Sequence, residues 1–368
     1  MVIEPLNRRH WLLTLGLIGL HGASGQTMPP PNVRQLLAAW QDGPDQTIGL
    51  WTVDADGLHP GPALGVPTRA HGLWIEPGGT VLAVARRPGD WLLRWHPATG
   101  QTQWCWSNGD WRFNGHVAVS ADGQRLWTTE TDQGSGQGQI SLRDPGSLEI
   151  VRTWPSHGQD PHQILVLPTP CGGLPAGTLM VANGGIPTHA ETGRLKQPSQ
   201  RMDPSLVALD PASGQQLGQW QLDDPTLSIR HLAWQPQSRT LGIALQSEHP
   251  QPTRQAAAPV LAVWDGTQLQ IGTGQPPMRG YGGDICPGPD GGFIVSCPRA
   301  DALACFDAQG RWRQTLRLEQ VCALAGGGAA PWWASGRTAL LCSETPDAPR
   351  PYPRPTAFDN HWLLRPGA

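Results

Sequence analysis

Lysine is all but missing from this 368-residue chain: Lys196 is the single one, and arginine carries the rest of the positive charge. Either residue can furnish surface charge, so the bias points to the genome's composition and assigns no chemistry. Charge is sparse as well, at 15% of residues with a formal net charge of -3. No basic stripe exists that would neutralise phosphates, which argues against nucleic acid as a partner. Beyond Leu20 no apolar run approaches the ~20 residues that cross a bilayer. Also missing, in any supporting structural context, are a nucleophile elbow, a Walker loop, a dinucleotide fingerprint and a helical His-Glu-x-x-His. The familiar enzyme classes are therefore not signalled.

What the chain has in excess is turn-formers, with 46 glycines and 38 prolines, and tryptophan, with 18. Few helix-favouring runs accompany them, so the expectation is an all-β protein of short strands and tight turns. Large rings at strand positions fill the space between packed sheets. At 38% hydrophobic residues the chain is neither disordered nor fibrous.

The first residues run Asn7-Arg8-Arg9-His10-Trp11-Leu12-Leu13, then a modest apolar stretch to Leu20 and small residues Gly22 to Gly25. Paired arginines ahead of a mildly hydrophobic core read as a twin-arginine signal peptide over 1–26, which exports folded proteins. The mature protein is then expected in the periplasm, as a single domain over 27–368, monomeric and without a membrane span. Seven cysteines, an odd number, leave at least one free or available as a ligand there. Cys297 and Cys305 flank a hairpin turn, but cross-strand pairs often miss the separation a disulfide demands.

Two kinds of turn recur. Asp54-Ala55-Asp56-Gly57, His96 to Gly100, Asp144-Pro145-Gly146, Asp210 to Gly214, Asp265-Gly266 and Asp307 to Gly310 are hairpin turns. Glu76 to Gly79, Ser120 to Gly123, Gln235 to Ser238 and Gly288 to Gly291 each fall between two short apolar stretches, about one propeller blade apart. The pattern predicts a seven-bladed β-propeller, YVTN/WD40-like or quinoprotein-like. Six blades begin near residues 71, 116, 162, 231, 284 and 322. The seventh comes from strands at 36–40, 47–53 and 58–65, closed by a C-terminal strand around 362–365, which removes the exposed edge of an open ring. The links 129–138, 183–205 and 246–259 are long and polar, and they share one mouth of the ring, where binding usually sits.

Counting back seven residues from the turn glycine lands on His116 (from Gly123) and Asp284 (from Gly291). His71, His162, His231 and Cys322 align at the same place, just before the innermost strands. All six are metal-ligand types, and a ring of blades can bring sequence-distant ligands to one ion, so iron, copper or zinc is the implied cofactor. The alternative is that each His hydrogen-bonds a neighbouring turn and fixes the blade connection. Around the mouth, Arg86, Arg87, Glu130, Asp132, Asn183, His189, Arg194 and Arg299 are candidates to hold an anionic ligand or a partner's carboxylate.

Several stretches resemble the domain of unknown function 1513 family: Asn114-Gly115-His116 through Asp132, Asp160-Pro161-His162, Val181 to Ile186 with Thr188-His189, Met202 to Leu206, Leu227 to Ala233, Gly280 to Gly283 and Asp359-Asn360-His361. The resemblance runs from about residue 65 to the C-terminus. It implies an exported propeller encoded beside imelysin-like and di-haem peroxidase-like proteins of iron-responsive clusters, hence iron-uptake or redox proteins as partners and a binding or docking role at the channel mouth. Phe113-Asn114 and Ser296-Cys297-Pro298-Arg299 depart from what the family leads one to expect. The competing expectation is a propeller enzyme, either a lactonase-like hydrolase using Glu130 and Asp284 around a metal-bound water or a quinoprotein-like oxidoreductase.

Overall fold

The computed structural model describes residues 34–54, 57–187, 201–353 and 355–365. Seven antiparallel sheets stand in a ring, a seven-bladed β-propeller as the turn spacing predicts. The innermost strands of the first six blades are Ala70–Ile75, Trp111–Val119, Pro161–Val166, Leu227–Gln235, Asp284–Pro287 and Leu324–Gly326. Each leads outward through three more strands, joined by tight turns and by longer links, among them those from Asn183 to Ser205 and from Ser247 to Leu261, the latter carrying the helix Pro252–Ala257.

Those turns work as the sequence implies. In the outer hairpins an aspartate carboxylate folds back on the backbone: Asp144 Oδ1 accepts from the Ser147 amide at 2.7 Å, and Asp210 Oδ1 does the same for Ser213 at 2.7 Å. An Asx turn of this kind supplies the acceptor that the reversing backbone lacks.

The seventh blade joins the two ends of the chain. Arg34–Asp42, Asp45–Val53 and Leu58–Val66 supply its outer strands, and the C-terminal pieces Ala357–Phe358 and Leu363–Leu364 both pair antiparallel with Arg34–Asp42 on its inner side. Leu36 faces Leu364 across that pairing, and Leu37 faces Leu363.

Packing follows the two-residue period of a strand. On Arg34–Asp42, Leu36, Ala38 and Trp40 face the sixth blade, whereas Leu37 and Ala39 face the first. Seven apolar clusters result, one in each wedge between neighbouring blades. Trp91, Trp127, Trp264 and Trp362 are fully buried among them, as expected of rings filling the wedges. All seven cysteines are free thiols, Cys297 and Cys305 included.

One wedge holds a buried ion pair. Arg143 donates to Glu130 Oε1 at 2.6 Å, to Thr128 Oγ1 at 2.8 Å and to the Leu148 carbonyl at 2.7 Å, and its guanidinium lies beside the rings of Trp111 and Phe113. Neither charged side chain is exposed. Removing one partner of such a pair strands the other's charge in the interior. Arg143→Ala is therefore expected to cost about 3–5 kcal/mol in urea unfolding, while Arg143→Ala protein that is still folded should bind ligands at the channel as the wild type does.

Candidate metal centre

The strands that line the axis are interrupted at the same place in four blades. Register breaks fall between Ala70 and Leu73, Phe113 and Val117, Pro161 and Ile164, and Ile229 and His231. A β-bulge adds a residue that the partner strand does not match, and it re-aims the side chains there. His71, His116, His162 and His231 sit on these bulges and turn toward the axis. Glycine makes the approach possible between the first two: a Cβ on Gly115, whose φ is +102°, would lie 3.0 Å from His71 Cδ2.

Four histidines thus meet, each offering one nitrogen, with these nitrogens all within 4.8 Å of one another. His162 Nε2 and His231 Nε2 are 2.9 Å apart, and His231 Nε2 and His71 Nε2 are 3.5 Å apart. Two imidazole nitrogens each about 2.1 Å from one ion lie about 3.0 Å apart at a right angle and about 3.4 Å apart at the tetrahedral angle, so the spacing suits shared coordination. Without an ion, His162 and His231 can face each other only if one carries the proton and the other does not.

The sequence reading missed a fifth member. His361 precedes Leu363–Leu364, the innermost strand of the seventh blade, so it occupies the position that His71 to Cys322 occupy in the other six. Its ring centroid lies 4.4 Å from that of His231, 5.1 Å from His116 and 5.2 Å from His71. The signal was present in Asp359-Asn360-His361, just ahead of the predicted closing strand.

Carboxylates orient the ring from behind. Asp284 Oδ1 is 2.9 Å from His361 Nδ1, while its Oδ2 accepts from the amides of His361 and Leu324. Asp359 Oδ1 is 3.6 Å from His71 Nδ1 and accepts from Arg69 Nη2 at 2.7 Å. Both arrangements leave the Nε2 of the histidine free to point at the axis, the second shell that metal-binding imidazoles usually have. Asp284, expected as a ligand, is at once within reach of His231 and His361 and committed to this positioning. Cys322 does not join the nitrogens. Its backbone accepts from Ser296 Oγ and donates to Ser335, and burial pushes its thiol up to about 12, away from the thiolate that binds metals.

The blade connections are fixed by other residues. Asn114 Nδ2 donates to the Pro161 carbonyl at 2.8 Å, Thr129 Oγ1 to His162 O at 2.8 Å and Ser228 Oγ to Gly184 O at 2.7 Å. The histidines make no such bonds to turns. Instead His71 Nδ1, His116 Nε2, His231 Nδ1 and His361 Nε2 are buried with no hydrogen-bond partner among the described residues, which is costly unless a further group meets them.

Electrostatics favour the neutral, ligand form. Burial pulls His71 down to about 4, with Asp359 opposing, and holds His116, His162 and His231 well below the ordinary histidine range, where their cationic neighbours add to the effect. His361 is the exception: burial lowers it most strongly of any single cause, but Asp284 and Asp359 together outweigh burial and the net shift is upward.

The cluster divides two cavities. On one side lies an apolar channel of about 810 Å³, bordered by Leu73, Val117, Ile164 and Ile285, which His116 and His361 reach. On the other is a polar cavity of about 220 Å³ bordered by His71, His162 and His231 together with Arg86, Arg87, Arg230 and Arg299. Of the residues expected at the mouth, Arg86, Arg87 and Arg299 are there. Glu130 is not, being buried against Arg143. Asn183 is buried too, donating to Ser156 O at 3.1 Å. Asp132 caps its own loop through the amide and hydroxyl of Ser135. His189 and Arg194 lie outside the described residues, as does the twin-arginine segment.

A family profile described as "Protein of unknown function (DUF1513)" matches residues 64–365. No curated protein matches the sequence. Among solved structures, a catalytically inactive variant of virginiamycin B lyase from Staphylococcus aureus, crystallised with quinupristin, is similar at a TM-score of 0.55 and 12% identity, over 77% of this chain and 84% of that one. A streptogramin B lyase gives 0.54 at 12% identity over 78% and 84%. U3-55K gives 0.52 at 12% over 78% and 82%. At such identities the likeness is one of fold alone.

The lowered histidines make the metal-free fold acid-sensitive. Each contributes stability that is complete above about pH 6.5 and is lost as the pH falls toward its folded value, because the unfolded chain takes up the proton first. For His71, with a folded value of about 4, the loss reaches on the order of 3 kcal/mol. His361 works in the opposite sense, losing its contribution as the pH rises, but it is one group against four. Thermal melting of metal-free protein should therefore drop steeply between pH 7 and pH 5, and replacing His116 and His162 by Gln should flatten that dependence.

Proposed function

We propose, from the premise that the chain belongs to the DUF1513 family, that it is a transition-metal-binding propeller holding one ion at the axis with His71, His116, His162, His231 and His361. The observation that carries this is the set of buried imidazole nitrogens that no group among the described residues satisfies. A structural role would have paired them with turns, and Asn114, Thr129 and Ser228 already do that work. An all-nitrogen set of neutral imidazoles suits copper, zinc, iron or nickel and disfavours the hard cations that prefer oxygen.

The setting we propose is the periplasm, on the strength of Arg8-Arg9 and the apolar stretch behind them. Metal handling beside iron-uptake or redox proteins is the physiological role we favour, with the arginine-rich mouth as the surface a partner or ligand meets. A lactonase-like reaction has lost one of its expected carboxylates, since Glu130 is committed to Arg143.

Mature protein purified without chelators should carry close to one transition-metal ion per chain by elemental mass spectrometry. The His116→Ala/His162→Ala variant should stay folded and carry none. Metal supplied at a hundred times its Kd should add about 2.7 kcal/mol of stability to the wild type alone. Absence of metal uptake by folded wild-type protein, across iron, copper and zinc, would sink the reading.

A further inference from the structure

Four guanidinium groups border the polar cavity above the histidines, and Glu248 is the one carboxylate among its described lining residues. Part of this positive charge is answered from behind, where Asp160 pairs with Arg87 and, at 3.0 Å, with Arg230. Arg299 is held differently, its guanidinium 4.2 Å from the centroid of the Tyr281 ring. That contact leaves the hydrogen-bonding edge of a guanidinium available for an anion.

Arg230 is the most telling of the four. It is 7% exposed, and its Nε is buried with no hydrogen-bond partner. The register break between Ile229 and His231 leaves it as the unmatched residue, so the bulge that aims His231 at the axis also aims Arg230 at the cavity. Arg230 Nη1 lies 3.5 Å from His162 Nδ1. An anion touching Arg230 is therefore within one side chain of the histidine nitrogens.

We infer that this cavity is a binding site for a small carboxylate that bridges the guanidinium groups and the ion held by the histidines. The inference rests on the metal-binding reading and names the class of ligand that the same site takes. Asp284 and Asp359 stand behind the histidines, with Asp359 also paired to Arg69, so they offset only part of a divalent ion's charge, and at the cavity four arginines outnumber Asp160 and Glu248, which calls for a counter-anion. Planar guanidinium matches carboxylate geometry with two parallel bonds. The volume of about 220 Å³ corresponds to about seven waters at ~30 Å³ each, which admits a dicarboxylate and excludes a folded partner.

Oxalate is the probe, titrated calorimetrically into metal-free and Co(II)-loaded protein, with the visible spectrum of the cobalt form followed in parallel. Oxalate should bind the metal-free protein, bind the cobalt form at least tenfold more tightly, and shift its d–d bands. Arg299→Gln should weaken oxalate binding at least threefold, and Arg86→Gln/Arg299→Gln at least tenfold, with cobalt uptake unchanged in both. Equal oxalate affinity in wild type and the double variant overturns the inference, as does a cobalt spectrum indifferent to oxalate. Failure to take up cobalt is a separate result that counts against the metal reading. The metal-free titration of wild type against the double variant then decides the cavity by itself.

Discussion

Five imidazoles packed around one axis, with too few hydrogen-bond partners to go round, are the constraint to which the rest of this propeller answers. A buried ring nitrogen normally finds a donor or acceptor, because leaving it bare costs on the order of a kilocalorie or more. Here the surrounding chain has been arranged to hold the rings in place with inward nitrogens facing chiefly one another. Asp284 and Asp359 grip two of the rings from behind, the bulges set the direction of four, and glycines allow neighbouring entry segments to touch. Burial then keeps most of the rings neutral, so each of those rings has one nitrogen with a lone pair. The polar stitching between blades is delegated to Asn114, Thr129, Ser228 and Ser296.

This division of labour explains why the fold is a ring at all, seen from the site. No short sequence motif could bring five imidazoles so close, since neighbours along a strand point to opposite faces and neighbours along a helix share a face only every three or four residues. A propeller instead contributes one residue per blade to a common centre. The apolar wedges do the energetic work of holding the blades together, and the axis is left with positions that packing does not dictate. On one side of those positions the chain placed apolar strand surface, on the other arginine, so the two approaches to the cluster differ in chemistry.

Much of this architecture was legible beforehand. The Gly-rich turns mark the first inner strands, and counting back seven residues from Gly123 and Gly291 reaches His116 and Asp284 because the hairpin geometry fixes that distance. The same count does not reach His361: the glycine that follows its strand, Gly367, is six residues on and not seven. Glu130 was misplaced for a different reason. A carboxylate near a strand end looks the same in sequence whether it faces a mouth or a partner such as Arg143, thirteen residues away on the next strand. Cys322 matched by alignment, yet its side chain does not reach the histidine nitrogens, and alignment fixes a residue's place on a blade without fixing where its side chain reaches. The bulges, finally, are invisible in sequence, because a mismatch of one or two residues belongs to a pair of strands and not to either alone.

The closing strand has a consequence for the life of the molecule. Leu363 and Leu364 zip the ring shut against the first strand of the fold, and His361 travels with them. The segment follows the strands of the six other blades in the chain, so ribosomal synthesis delivers the fifth imidazole and the final seam together, once those blades have been made. A break in the chain ahead of His361 takes away ring closure and the fifth imidazole in the same stroke. The cluster is in this sense a seal of the ring: all five imidazoles meet only when its first strand and its closing strand are paired.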